Sequence, residues 1–208
     1  MPPKVTAIAR AVAVVAAGSL LWALPTATGD ADAASRQEIQ RARHTRVYIQ
    51  GDSLTVGSAS ALRRTLGPKV ADVSVDAAIG RFTATGLARI RHDRRARKSR
   101  VWVIALGTND APRADVMKRA VRKSLRLAGP KRDVIWLTVQ RPGPYGRVNK
   151  MMRRLDRSSQ RLHLVDWARL MKRRSGLLVS DRVHATAEGY RTRARLISQQ
   201  ALTLAQQP

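Results

Sequence analysis

A serine that could act as a nucleophile stands where Val47-Tyr48-Ile49-Gln50 gives way to Gly51-Asp52-Ser53-Leu54. The first four residues read as a short strand, and the residues after Ser53 as the start of a helix. Open α/β sheets bind ligands at that edge, and a helix N-terminus presents free N–H groups that stabilise an anion. A serine hydroxyl needs a base, and the chain offers His44, His92, His163 and His184. His44 lies in a basic lead-in, His92 at the edge of a basic run, and His163 alternates with Leu162 and Leu164 in a strand, so surface or structural roles suit all three. Only His184 has an acid three residues before it, in Asp181-Arg182-Val183-His184. Such a turn can fold a carboxylate onto the ring, fix its tautomer and support an imidazolium.

A tetrahedral intermediate also needs hydrogen-bond donors. Gly80, in Ile79-Gly80-Arg81, offers a backbone N–H that no side chain screens. Asn109, in Gly107-Thr108-Asn109-Asp110, offers a side-chain amide, and Ser53 adds its own N–H. Taken singly, a glycine after a strand is a turn residue and Asn-Asp a helix cap; the order and placement of the set is the stronger signal.

The elements that would position these groups alternate. Strands are expected at Val47–Ile49, at Val73, Val75 and Ala77, at Val101–Leu106, at Val134–Val139 and at Leu162–Val165. The Val101–Leu106 run is apolar without alternation, as in a strand buried on both faces. Helical spacing marks Leu54/Ala61/Leu62/Leu66, Leu87/Ile90, Val116/Met117/Ala120/Val121/Ser124/Leu127, Val148/Met151/Met152/Leu155 and Tyr190/Ala194/Ile197/Ala201/Leu204. This pattern predicts one α/β domain over residues 46–208, a three-layer α/β/α sandwich on a five-stranded parallel sheet.

These blocks resemble the SGNH hydrolases, also called the GDSL lipase/esterase superfamily, over roughly residues 46–200. Gly51-Asp52-Ser53-Leu54 matches the nucleophile block, Gly80 the second, Gly107-Thr108-Asn109-Asp110 the third and Asp181-Arg182-Val183-His184 the last. Ala185 stands where many members have proline. The resemblance implies a flavodoxin-like sheet, Ser53 as nucleophile, His184 as base and then acid, and Asp181 as its orienter. It implies Ser53, Gly80 and Asn109 as the oxyanion hole, and no metal or organic cofactor. It implies a substrate among small esters, lipids, thioesters and acylated carbohydrates. Val75–Arg81 and Val165-Asp166-Trp167 look similar to bacterial cell-surface acyltransferases. Arg81 and Phe82 are candidate acyl-pocket residues, Phe82 being equally a candidate core residue. Arg141 is a candidate contact for an anionic substrate group, or an ordinary surface arginine.

Composition bounds the setting. Forty Lys+Arg against fourteen Asp+Glu give a net charge of +26 over 208 residues. Such a surface attracts anionic cell-wall polymers, anionic lipid or nucleic acid, or is a solvated basic face. Specific nucleic-acid recognition is not expected, because no reading-helix motif is present. Without cysteine, thiolate chemistry and disulfides are excluded. Lys4 and Arg10, the apolar Ala11–Leu24 and Ala31-Asp32-Ala33 read as a Sec-type export signal over residues 1–33, cleaved after Ala33. An uncleaved N-terminal anchor is the alternative. A secreted or cell-wall-associated monomer is therefore expected, with residues 34–45 as a polar lead-in. Three functions remain open at this point: ester hydrolysis, acyl transfer to a cell-wall sugar, and non-catalytic polyanion binding on the same scaffold.

Overall fold

The computed structural model describes residues 28–208. The expected export signal therefore lies largely outside the described residues. Five strands, β1 (Arg46–Gly51), β2 (Asp72–Ala77), β3 (Val101–Ala105), β4 (Asp133–Leu137) and β5 (Leu162–Val165), form one parallel sheet in the order β2-β1-β3-β4-β5. Among the described residues eight α-helices surround it: α1 (Thr28–His44), α2 (Ser53–Leu66), α3 (Thr83–His92), α4 (Arg94–Lys98), α5 (Ala114–Ala128), α6 (Gly146–Arg157), α7 (Trp167–Arg173) and α8 (Ala187–Gln206).

Successive strand residues point to opposite faces, and the central strands show it. Val47, Ile49, Val101, Val103 and Ala105 join Leu62, Leu66, Ile197 and Leu204 in a core under α1, α2 and α8. Tyr48, Trp102, Ile104, Val134 and Trp136 join Leu87, Ile90, Met117, Val121, Val148 and Met152 in a second core under α3 to α6. Every residue of β3 is buried, as its unbroken apolar run requires.

Two features depart from the sequence pattern. The lead-in is helical: α1 covers residues 34–44 and lays Ala42 into the first core. Ala42 is the one deeply buried apolar side chain among its described residues, too little for periodicity to reveal. On β2 the acid Asp76 is buried while Val73 and Val75 are only half-buried. Asp76 is tolerated there because Arg81 and Arg89 pair with it at 2.9 and 3.0 Å. Burial works against its charge, but hydrogen bonds from Arg89 and Arg81 outweigh that and hold its carboxyl below its ordinary range.

The chain leaves β1 towards β2 on one side and returns to β3 on the other, so the sheet reverses direction between β1 and β3. A crevice forms at the carboxyl end of such a switch point. The loops carrying Ser53 and Asn109 flank it.

Candidate active site

Asp52 starts α2 by accepting the Leu54 N–H at 3.0 Å on Oδ1. That cap fixes Ser53 as the first helical residue, with its N–H among those the helix leaves without an internal acceptor. Ser53 Oγ lies 3.1 Å from His184 Nε2, and His184 Nδ1 lies 2.6 Å from Asp181 Oδ2.

The turn that brings Asp181 back to His184 is built from its own backbone. Asp181 Oδ1 accepts the N–H groups of Val183 and His184, each at 2.9 Å. Arg182 between them has φ 57°, the one non-glycine residue with positive φ among the described residues. A left-handed arginine costs on the order of 1 kcal/mol, and here those two bonds and the Gln140 Nε2 donation to Arg182 O at 3.2 Å hold it. The hydrogen bond to His184, then the two backbone N–H groups, lower the Asp181 carboxyl to about 2. It is therefore ionised at any pH above that value. Since its folded pKa lies below the ordinary one, its contribution to stability is present above about pH 4 and fades as pH falls towards 2.

Gly80 has φ 71°, a left-handed conformation that L side chains rarely adopt. Asn109 Nδ2 donates to Arg81 O at 3.2 Å, which holds the Asn109 amide beside the Gly80 turn. Asp110 accepts the Thr83 hydroxyl at 2.6 Å and the Thr83 N–H at 3.1 Å. The loops after β2 and β3 are thus drawn together, and the Ala78 N–H donation to Gly51 O at 3.3 Å ties the exit of β2 to the end of β1, so Ser53, Gly80 and Asn109 stand on adjoining loops.

The three candidate substrate residues behave differently. Arg81 turns towards the sheet. Its side chain is buried and donates to the Asp76 carbonyl at 2.8 Å as well as to its carboxylate. The reason is electrostatic: buried Asp76 needs a cation, and the turn at Gly80 sends Arg81 back to it. Phe82 is 54% exposed, so it is not core, and it lies close in sequence to Ile79, itself 82% exposed. Arg141 donates to the Thr108 carbonyl at 2.6 Å, next to Asn109, while remaining exposed.

Three residues not singled out from the sequence matter here. Gln140 links the loop after β4 to the Asp181 turn, and Tyr145 in the same loop donates from its hydroxyl to Asp110 O at 2.7 Å. Arg193 is fully buried in α8, behind the first turns of α2. Its Nη1 donates to Leu54 O at 3.3 Å and Ser58 Oγ at 3.3 Å, and it approaches Thr55 Oγ1 at 3.5 Å. Burial pulls its pKa down to about 10, with Asp52 opposing, so it is a cation at neutral pH. Burial likewise pushes the Asp52 carboxyl up, while Arg193, the Leu54 N–H and the Thr108 hydroxyl oppose the shift. Asp52 Oδ2 itself makes no hydrogen bond of ordinary geometry.

The two buried charges favour one another without direct contact. Arg193→Met should lower unfolding free energy by about 1–3 kcal/mol, because it leaves the buried Leu54 carbonyl and Ser58 hydroxyl without their donor. Adding Asp52→Asn should recover part of the loss. Urea denaturation of both single variants and the double variant checks this as a mutant cycle.

A parallel sheet in the order 2-1-3-4-5 carries a serine, a histidine and an aspartate joined in line at its carboxyl edge. The chain belongs to the GDSL-like lipase/acylhydrolase family, whose sequence profile matches residues 49–192. Among curated proteins none matches the chain significantly by sequence. Solved structures share the fold. The C-terminal catalytic domain of Streptococcus pneumoniae peptidoglycan O-acetyltransferase A is 21% identical with a TM-score of 0.64, over 78% of this chain and 94% of that one. A lipase/acylhydrolase from Enterococcus faecalis is 19% identical with a TM-score of 0.66, over 77% and 96%. A family 3 carbohydrate esterase from Clostridium thermocellum is 14% identical with a TM-score of 0.61, over 78% and 97%.

Proposed function

We propose that this protein is an exported serine esterase acting through an acyl-serine intermediate. The observation that carries the reading is the in-line contact of Ser53, His184 and Asp181 at 3.1 and 2.6 Å. Ser53 Oγ adds to the ester carbonyl while His184 Nε2 takes its proton, and ionised Asp181 balances the imidazolium. The carbonyl oxygen becomes an oxyanion held by Ser53 N–H, Gly80 N–H and the Asn109 amide. Collapse expels the alkoxide, which receives the proton from His184, and leaves the acyl group on Ser53. Water then repeats the sequence in reverse: His184 takes a proton from it, the hydroxyl adds to the acyl carbon, and Ser53 leaves as the protonated alcohol with the free acid as product.

His184 and Asp181 side chains are 43% and 47% exposed. A site this open suits an ester on the surface of a larger molecule better than a long acyl chain that must be enclosed. The same openness favours a second reading, in which a sugar hydroxyl replaces water and the enzyme is an acyltransferase. The fold shared with a peptidoglycan O-acetyltransferase and a carbohydrate esterase supports acylated carbohydrate as the substrate class.

The test is turnover of p-nitrophenyl acetate with and without a chito-oligosaccharide acceptor, with products read by mass spectrometry. The esterase reading expects free acetate in both cases. Acetylated sugar as the main product would establish transfer instead. No p-nitrophenolate above the level of a folded Ser53→Ala control would sink both.

A further inference from the structure

Part of the net charge of +26 lines a groove away from the candidate catalytic residues. This open groove of about 370 Å³ runs between α5 and α6, lined by Ala114, Asp115, Lys118, Arg147, Lys150, Met151 and Arg154. Its single acid is occupied elsewhere: Asp115 pairs with Arg119 at 3.1 Å and Arg113 at 3.5 Å, neither of which lines the groove. Lys118, Arg147, Lys150 and Arg154 are exposed and enter no ion pair among the described residues. Arg153, on the same helix, differs, being held by Asp166 at 2.7 Å.

The four cations form a track. Arg147, Lys150 and Arg154 recur at i, i+3 and i+7 on one face of α6, and at about 1.5 Å rise per residue they span about 10 Å. Lys118 faces them from the first turns of α5. The groove opens at the same edge of the sheet as the candidate active site. Helices in a parallel sheet start at the strands' carboxyl edge, and Ala114 opens α5 shortly after Asn109. Tyr145, just before α6, is bonded to Asp110 O.

We propose that this groove binds a linear acidic polysaccharide, and that the same polymer carries the ester presented to Ser53. The proposal rests on the esterase reading for its second half alone. A row of like charges about 10 Å long matches a chain bearing an anion on each sugar or each pair of sugars. A flat lipid surface fits less well. The groove is concave, and its apolar lining is limited to Ala114 and Met151, with nothing large and exposed to insert into a bilayer.

The test compares two quadruple variants of equal charge change. One is Lys118→Gln, Arg147→Gln, Lys150→Gln, Arg154→Gln. The other neutralises exposed cations elsewhere: Arg63→Gln, Arg64→Gln, Lys172→Gln, Arg173→Gln. All eight positions are exposed, so both should fold, as circular dichroism will report. The substrate is partly O-acetylated polygalacturonate at low salt; binding is read separately on the unacetylated polymer, with p-nitrophenyl acetate as the small neutral ester. The groove variant should raise KM for the polymer and Kd for the unacetylated chain at least about tenfold, the sum of several exposed charge contacts. Its turnover of the small ester should change less than twofold, and the control variant should change polymer binding less than threefold.

Equal losses in both variants would mean bulk charge alone and would overturn the proposal. So would unchanged polymer binding with lost binding to phosphatidylglycerol vesicles or to duplex DNA, which would assign the groove to a membrane or a nucleic acid. If the wild type hydrolyses no ester, the esterase reading falls, while the binding arm on unacetylated polymer still decides the groove.

Discussion

Ser53→Ala should lower kcat/KM for p-nitrophenyl acetate by roughly 10⁴–10⁶-fold, the range seen when a nucleophile is removed from a cooperating triad. The substitution deletes one oxygen, whose side-chain contact is His184 Nε2 at 3.1 Å. The helix start does not depend on it, since Asp52 supplies the cap. Ser53 is half-buried and fills no cavity, so the unfolding free energy should shift by no more than about 0.5 kcal/mol. Activity and stability therefore separate cleanly in this variant. A thermal melt beside the rate measurement checks both, and a parallel loss of stability would assign Ser53 a structural role.

Asp181→Asn should lower kcat/KM at pH 7 by about 10²–10⁴-fold. As an ionised carboxylate, Asp181 can only accept from His184 Nδ1, which leaves Nε2 free to take the serine proton. An asparagine amide can instead donate to Nδ1. The ring would then carry its proton on Nε2 and could not act as base. Both backbone bonds into the turn end on Oδ1 and can survive on the amide oxygen, so the fold should tolerate the change better than the chemistry does. Combining Asp181→Asn with Ser53→Ala should cost no more than Ser53→Ala alone, because the three residues act as a unit. Steady-state rates of the two single variants and the double variant give this directly; additive losses would show that Asp181 acts outside the Ser53 pathway.

Most of what positions this site is written locally in the sequence. The central strands are legible because β3 is buried on both faces and so carries no polar residue to break its run. Ser53 is legible because the strand, the acid cap and the helix follow within a few residues. His184 is legible because Asp181 lies one turn away and the contact is local. The less legible parts depend on distant partners. Arg193 sits between Arg191 and Arg195 and looks like one of three solvated cations. It is buried because Thr55 and Ser58, with the Leu54 carbonyl, give α2 a polar inner face that an apolar helix would not fit. Those two polar residues at helical spacing were the available signal. Arg81 resembles a pocket residue next to Gly80, yet the acid that captures it lies back on β2. Gln140 gives no sign in sequence of reaching Arg182, some forty residues on.

The central claim is that Ser53 is a nucleophile activated by His184. The most direct measurement is covalent labelling of the folded protein with a fluorophosphonate probe, followed by peptide mass spectrometry. One adduct is expected on Ser53 in the wild type and none in Ser53→Ala, with labelling slowed at least about 100-fold in His184→Gln. Labelling that persists in Ser53→Ala, or a folded wild type that takes no label, would contradict it.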